Sequence, residues 1–129
     1  MSIIKIRQPR RSVDQALANL KAARDAAIAR GIEVDGLRLQ TDDLSQSRLT
    51  SSALAAQLDP ASTVRWKTAS GEFVTLTAPQ IIALALAVRA HVQACFDREA
   101  ELTDAIMAAD NPESTEIDFS AIGDMAENL

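Results

Sequence analysis

One long segment without a helix-breaking residue constrains the fold more than any other feature of this sequence. From Thr77 the chain runs TAPQIIALALAVRAHVQACFDREAELTDAIMAA, with no glycine and with a single proline near the start. Thr77 is placed to cap a helix, Pro79 suits its first turn, and Gln80 completes a capping box. We therefore predict one helix from this cap to about Ala109, and the rest of the chain has to pack around it.

Apolar residues recur along this helix at alternating steps of four and three positions, the heptad pattern of a helix packed against another helix. Other apolar side chains widen the surface of the first half, whereas Glu99 interrupts the pattern in the second. We expect the first half to be buried in the domain and the second half to pair with other copies as a dimer or trimer, although a monomer's core helix can show the same pattern. The residues predicted to mediate self-association are Val88, Val92, Cys95, Leu102 and Ile106.

The composition limits the kind of core that the chain can build. Its 129 residues suffice for one modest domain, and 47% of them are apolar but only 3% aromatic. A core with so few rings is thin for its length, which favours closely packed helices completed by a partner subunit. Small-molecule pockets are usually rich in aromatic side chains, so we predict no cofactor. A single cysteine excludes a disulfide within the chain.

The rest of the chain predicts shorter helices and two hairpins. Ser12 and Gln15 match a capping box at the start of a helix, and Gly31 is placed to end it. Asp35-Gly36 between β-prone residues predicts a tight hairpin turn, and Ser70-Gly71 predicts a second one. The predicted fold is α+β and mainly helical: helix, short hairpin, helix near residues 42–58, β-hairpin and long C-terminal helix.

Two packing predictions follow from the positions of the larger apolar residues. Trp66 and Phe73 are expected to form a core pair across the second hairpin, and the alternative is an anchor that faces a partner protein. The inner stripe of the second helix is expected to be Leu44, Leu54, Ala55 and Leu58.

The two ends of the chain differ in charge from its middle. Residues 1–11 carry four basic groups and no acid, and residues 110–129 carry six acids and no base. We predict a flexible N-terminal arm (1–11), a single domain (12–109) and a flexible acidic tail (110–129), with both ends open to partner proteins. The candidate docking residues are Ile4, Ile6, Arg7 and Arg10 in the arm and Ile117, Phe119, Ile122 and Met125 in the tail.

Charge and hydropathy argue against two classes of partner. The net charge of −5 is opposite to the basic surface that supplies most nucleic-acid affinity. The most apolar segment, residues 81–88, is much shorter than the roughly 20 residues of a membrane span. We therefore expect neither nucleic-acid binding nor membrane insertion.

His91 and Cys95 form the one pair of residues that fits a catalytic interpretation. Their spacing of four puts them on one face of a helix, where an imidazole can activate a thiol. Cys95, however, lies on the heptad pattern, where a thiol behaves as a small apolar side chain. One His and one Cys also cannot complete a zinc site without carboxylates. We predict that the pair packs in the core, with no catalytic or metal-binding residue.

Five short motifs follow one another between residues 20 and 107: Asp35-Gly36, Thr41-Asp42, Trp66 with Thr68, Val74–Thr77, and His91-Val92. They form an Asp-Gly hairpin, a Thr-Asp entry to a Ser/Gln-rich helix, a Trp-x-Thr strand, and a Val-x-Leu-Thr strand that leads into an Ala/Leu-rich helix. In this order they resemble an uncharacterised domain of tailed-phage and prophage proteins, which is found in tail-fibre and tail-fibre-assembly proteins.

The resemblance implies a non-enzymatic role in a bacteriophage tail. The expected protein is a small structural or assembly subunit, a chaperone or adaptor associated with tail fibres or the baseplate. Its partners would be other phage tail proteins, and it would be made in the host bacterial cytoplasm and reside in the virion tail. The resemblance supplies no catalytic residues. Two alternatives stay open. One is a phage-encoded small regulator or inhibitor that binds a host protein through the acidic tail, and the other, ranked last, is an enzyme that uses Cys95.

Overall fold

The structure, a computed structural model, describes residues 10–122, with side chains from residue 12 onward. The predicted order of elements and the mainly helical α+β class are confirmed. The elements are α1 (Arg10–Ala29), β1 (Ile32–Val34), β2 (Leu37–Leu39), α2 (Asp43–Leu58), β3 (Thr63–Lys67), β4 (Phe73–Thr77), α3 (Ala78–Ala108) and a 3-10 turn (Pro112–Ser114).

The long helix α3 begins as predicted and forms the centre of the molecule. Thr77 Oγ1 accepts a hydrogen bond from the Gln80 N–H, and Gln80 Oε1 accepts one from the Thr77 N–H, which completes the capping box. The first half of α3 packs against α2 and the two hairpins, and the second half packs against α1 and the segment after Pro112. Val92 lies partly buried between these two halves of the core.

Helix α1 runs antiparallel to the second half of α3 and covers its heptad face. His91 near the middle of α3 contacts Ala27, and Glu99 further along contacts Arg24. The prediction that this face binds other copies of the chain is therefore wrong, because α1 and the C-terminal segment already occupy it. Four of the five residues predicted to mediate self-association are buried within one chain: Val88, Cys95, Leu102 and Ile106. The fifth, Val92, is partly buried.

The charged residue that interrupts the heptad pattern has a partner on α1. Arg24 Nη1 donates to both carboxylate oxygens of Glu99, at 2.9 and 3.1 Å. The same guanidinium lies 4.8 Å from the centre of the Phe96 ring and pairs with Asp25. Glu99 is thus the acidic half of an ion pair that links α1 to α3.

The first hairpin is fixed to the end of α1 by a threonine and a glycine. Asp35 and Gly36 both have positive φ, as the predicted turn requires. Gly31 also has positive φ, and a Cβ there would lie 2.7 Å from the Leu39 carbonyl oxygen. Buried Thr41 accepts a hydrogen bond from the Gly31 N–H and donates one to the Ile28 carbonyl. The Thr-Asp motif therefore caps α1 as well as leading into α2.

Helix α2 has the predicted bounds but packs on α3 through another face. Leu49 and Ala56 are its buried residues, and Ala53 packs beside them. Small side chains on this face let the two helices approach closely. The predicted inner stripe is wrong, because all its members face outward: Leu44, Leu54, Ala55 and Leu58.

The second hairpin also differs from the prediction in its pairing. Trp66 lies opposite Val74, whereas Phe73 lies opposite Lys67 on the exposed side. Residues alternate between the two faces of a strand, so residues 66 and 73 cannot share a face in this register. The expected Trp66–Phe73 core pair is therefore wrong.

The start of α1 differs from the sequence prediction as well. The helix begins at Arg10, within the predicted arm, so Ser12 is already inside it. Ser12 Oγ donates to Glu113 Oε1 at 2.9 Å, and Gln15 donates to Asn19, so the predicted capping box does not form. The Ser12–Glu113 bond ties the start of α1 to the chain after α3.

By length and composition alone, α3 is long and apolar enough to cross a membrane. The core helix of a globular protein meets the same criterion. The buried apolar side chains of α3 pack against α1, α2 and both hairpins.

Candidate functional site

His91 and Cys95 are both buried, and burial shifts the pKa of each side chain so that its neutral form is favoured. Burial, assisted by the charge of Arg30, lowers the pKa of His91, and burial raises the pKa of Cys95. Both shifts disfavour the imidazolium–thiolate pair that a cysteine nucleophile needs. His91 Nε2 lies 3.0 Å from the Ala27 carbonyl oxygen, so this ring joins α3 to α1.

The candidate docking residues of the acidic tail lie partly in the core. Phe119 and Ile122 are buried, and Ile117 packs against the same cluster. Arg30 donates to the Phe119 carbonyl at 3.2 Å and Arg98 to that of Asp118 at 3.0 Å. The predictions of a flexible tail from residue 110, and of docking through Phe119 and Ile122, are therefore wrong for the described part, since apolar burial and these bonds hold the segment in place.

The remaining candidate docking residues stay untested. Ile4, Ile6, Arg7 and Met125 lie outside the described residues. Arg10 is the first residue of α1, but its side chain is also outside the described part.

Three exposed leucines of the described residues lie on α2. Leu44 and Leu54 are each 57% exposed and Leu58 is 79% exposed. Together with Ser47 and Ser51 they follow steps of three, four, three and four residues, so they share one side of the helix. We call this set the outer face of α2. It lies opposite Leu49 and Ala56, which pack on α3.

A groove beside this face runs between α2 and β3, with a volume of about 430 Å³. Ser47, Ser51 and Ser52 line it from α2, and Val64 and Trp66 line it from β3. We call it the α2–β3 groove. Its charged and aromatic rim is formed by Arg48, Arg65, Lys67 and Phe73.

The rim carries positive charge around an exposed aromatic ring. Arg65 Cζ and Lys67 Nζ each lie 5.9 Å from the centre of the Phe73 ring, which is 60% exposed. A cation over an aromatic face is attracted by the ring quadrupole. This attraction holds both basic groups beside the groove.

Metal binding has no support in the described part of the chain. Within residues 10–122, no group of three or more His, Cys, Asp or Glu side chains is placed to hold a metal ion.

Comparison with known proteins identifies the family to which this fold belongs. Residues 12–121, almost all of the described chain, match the model of a domain of unknown function, DUF4376. The chain belongs to the DUF4376 family. The match extends from Ser12 in α1 to the segment after α3, so the DUF4376 domain includes the buried Phe119. No curated protein and no solved structure matches the chain.

The sequence carries a signal for the outer face of α2. Leu44, Leu54 and Leu58 share one side of the helix, but their spacing does not show whether that side faces the core or solvent. The alternation of basic and aromatic residues at Arg65, Trp66 and Lys67 is the sequence signal for the groove. Because successive residues of a strand lie on opposite faces, this pattern puts the two basic side chains on one face and Trp66 on the other.

Proposed function

We propose that this DUF4376 protein is a non-enzymatic bacteriophage tail protein, a small structural or assembly subunit that acts by protein–protein contacts. Its partners are other tail proteins of the fibre or baseplate, and it forms homo-oligomers. It is made in the host bacterial cytoplasm and resides in the virion tail. The phage context rests on the resemblance of the ordered motifs, and the mode of action rests on the surface of α2.

The observation that carries the proposal is the exposure of three leucines on one side of α2. Large apolar side chains grouped at helical spacing on a surface are typical of protein–protein contact sites. Because α1 covers the heptad face of α3, we assign self-association to the outer face of α2.

The outer face of α2 is self-complementary about its centre. Ser51 lies seven residues from Leu44 and seven from Leu58. Two copies of α2 that cross antiparallel at Ser51 would place Leu44 against the partner's Leu58, and Leu58 against the partner's Leu44. Contacts that repeat in this way form a two-fold interface. The small Ser51 allows close approach at the crossing point, so a dimer is the expected assembly.

A photo-crosslinking experiment in phage-producing cells tests the tail assignment. Benzoylphenylalanine would replace Leu54 on the outer face or, as a control, Leu86, which is 63% exposed on α3. We expect crosslinks to a second copy and to a tail protein from position 54 and none from position 86. Crosslinks from position 54 to a host protein alone would favour the regulator, and equal crosslinking from both positions would contradict the assignment of the surface.

A further inference from the structure

Among residues 10–122, no strand pairs with β3 on the side away from β4. We call this side of β3 its open edge. Thr68 donates its backbone N–H to the Glu72 carbonyl at 2.7 Å, toward the β4 side. Ala69 donates to the Arg38 carbonyl at 3.1 Å, on the opposite side. Antiparallel bonding alternates along a strand, so Arg65 and Lys67 turn their N–H and C=O groups to the side away from β4.

The open edge forms one wall of the α2–β3 groove. The opposite wall is a single side of α2, where Arg48 and Ser52 lie one turn apart. A second groove of about 430 Å³, reaching Gly71 and Gln40, shares Arg48 and Lys67 with the first. The two grooves therefore make one channel along β3, with a helix and an open strand as its walls.

The channel is basic in a chain of net charge −5. Arg48, Arg65 and Lys67 line it, and none of its lining residues is acidic. Among residues 12–122, Arg24 and Arg98 are the only basic side chains that form ion pairs. The three basic groups of the channel thus have no carboxylate partner in the described part of the chain.

We propose that this channel binds an extended acidic segment of a partner protein, which adds a strand to the open edge of β3. Its main chain would pair with Arg65 and Lys67, and alternate carboxylates would meet the basic groups on the exposed side. The residues between them would be apolar and would face Trp66 and α2. This contact site goes beyond the proposed function, and it shares Ser47 and Ser51 with the outer face of α2.

The backbone of the open edge favours a peptide over a nucleic acid. Single-stranded nucleic acid also suits basic groups next to aromatic rings. Phosphates, however, only accept hydrogen bonds, so they cannot satisfy the C=O groups of Arg65 and Lys67. A polypeptide strand supplies donors and acceptors at the spacing of β3.

Fluorescence anisotropy with a labelled Glu-Val-Glu-Val-Glu-Val peptide tests the proposal on the full chain. We expect saturable binding that weakens roughly tenfold or more when Arg65→Glu and Lys67→Glu are combined, since two charge pairs become repulsive. The control combines Lys21→Glu and Arg89→Glu, which changes the net charge equally at exposed positions elsewhere. Equal losses in the two double variants, or no binding by the wild type, would overturn the proposal.

Two further probes separate strand addition from other modes of binding. The same peptide with N-methyl groups on its three glutamates keeps its charge. In an antiparallel pairing it lacks the N–H donors that would lie opposite Arg65 and Lys67, so we expect its binding to be lost. Equal binding of both peptides, or tighter binding of a thymidine oligonucleotide of matched length, would overturn the proposal. Leu54 does not line the channel. Leu54→Glu should therefore retain peptide binding, so failure of self-association and failure of this site are distinguishable.

Discussion

His91 acts at the scale of a single residue, as a buried polar link between two helices. Its Nε2 meets the Ala27 carbonyl, whereas its Nδ1 is buried without a hydrogen-bond partner among the described residues. Protonation of the ring would place a second N–H donor where the described residues offer no acceptor. The structure therefore favours the neutral ring, consistent with the lowered pKa.

The lowered pKa of His91 predicts loss of stability on mild acidification. The unfolded chain binds the proton near pH 6.5, whereas the folded chain binds it only at lower pH. Between these values the unfolded state holds more protons, so the free energy of unfolding falls as the pH falls below about 6.5. Urea denaturation from pH 7.5 to 5.5 measures this fall.

The variant His91→Gln is the control, because glutamine can donate to Ala27 but does not titrate. We expect its stability to change less than that of the wild type over the same range. Carboxyl groups ordinarily have pKa values below this pH range. Hydrogen bonds from Ser45 to Asp42 and from the Ser120 N–H to Asp118 lower the pKa values of these two aspartates further. An equal dependence on pH in the two proteins would contradict the role of His91.

The Arg24–Glu99 pair predicts an asymmetry between single and double substitutions. Arg24→Met leaves a partly buried carboxylate on the core face of α3 without its partner, which we expect to cost about 1–2 kcal/mol of unfolding free energy. Combining it with Glu99→Leu completes the apolar heptad face and should restore most of the stability. Urea denaturation of the wild type, both single variants and the double variant measures this coupling. Additive losses in the double variant would show that the pair does not act as a unit.

At the scale of elements, the segment after α3 behaves as part of the core. Phe119 is 7% exposed and packs with residues of α1 and α3. Phe119→Ala should therefore lower the free energy of unfolding by about 3 kcal/mol, the usual cost of deleting a buried ring. Leu86→Ala at an exposed position of α3 is the matched control and should change stability little. If Phe119→Ala were as stable as this control, the segment would be a free tail after all.

The comparison of α2 and α3 shows which elements the sequence predicts and which contacts it does not. Caps, turn glycines and periodicity are local signals, so Thr77, Gly31 and Asp35-Gly36 correctly marked the ends of elements. Periodicity also shows that a helix has an apolar face, but it does not show which element covers that face. The heptad face of α3 is therefore internal, whereas that of α2 is exposed.

The same limit explains why the candidate site was not predicted. The acidic composition after Asn111 indicated a flexible tail, yet a few apolar residues at spacings that match the α1–α3 surface are enough to bury it. The α2–β3 groove depends on which strand edge faces α2, and that is fixed by tertiary contacts such as Ala69 to Arg38. Neither contact has a local sequence signal.

The whole molecule is a domain with a closed core and two proposed contact surfaces, the outer face of α2 and the α2–β3 groove. The core is divided between the two halves of α3, and α1 with the C-terminal segment closes the second half. The outer face of α2 and the adjacent basic groove lie on the first half. Partner binding is thus expected on the α2 and hairpin side of the molecule.

The mass of the full-length protein in solution, measured by light scattering at several concentrations, shows whether the outer face of α2 mediates self-association. We predict a dimer of twice the 13.8 kDa chain. We also predict a folded monomer for Leu54→Glu and an unchanged dimer for Leu86→Glu, which introduces the same charge at an exposed leucine outside the interface. A wild type that stays monomeric at every concentration, or a Leu54→Glu variant that stays dimeric, would contradict this role of the outer face.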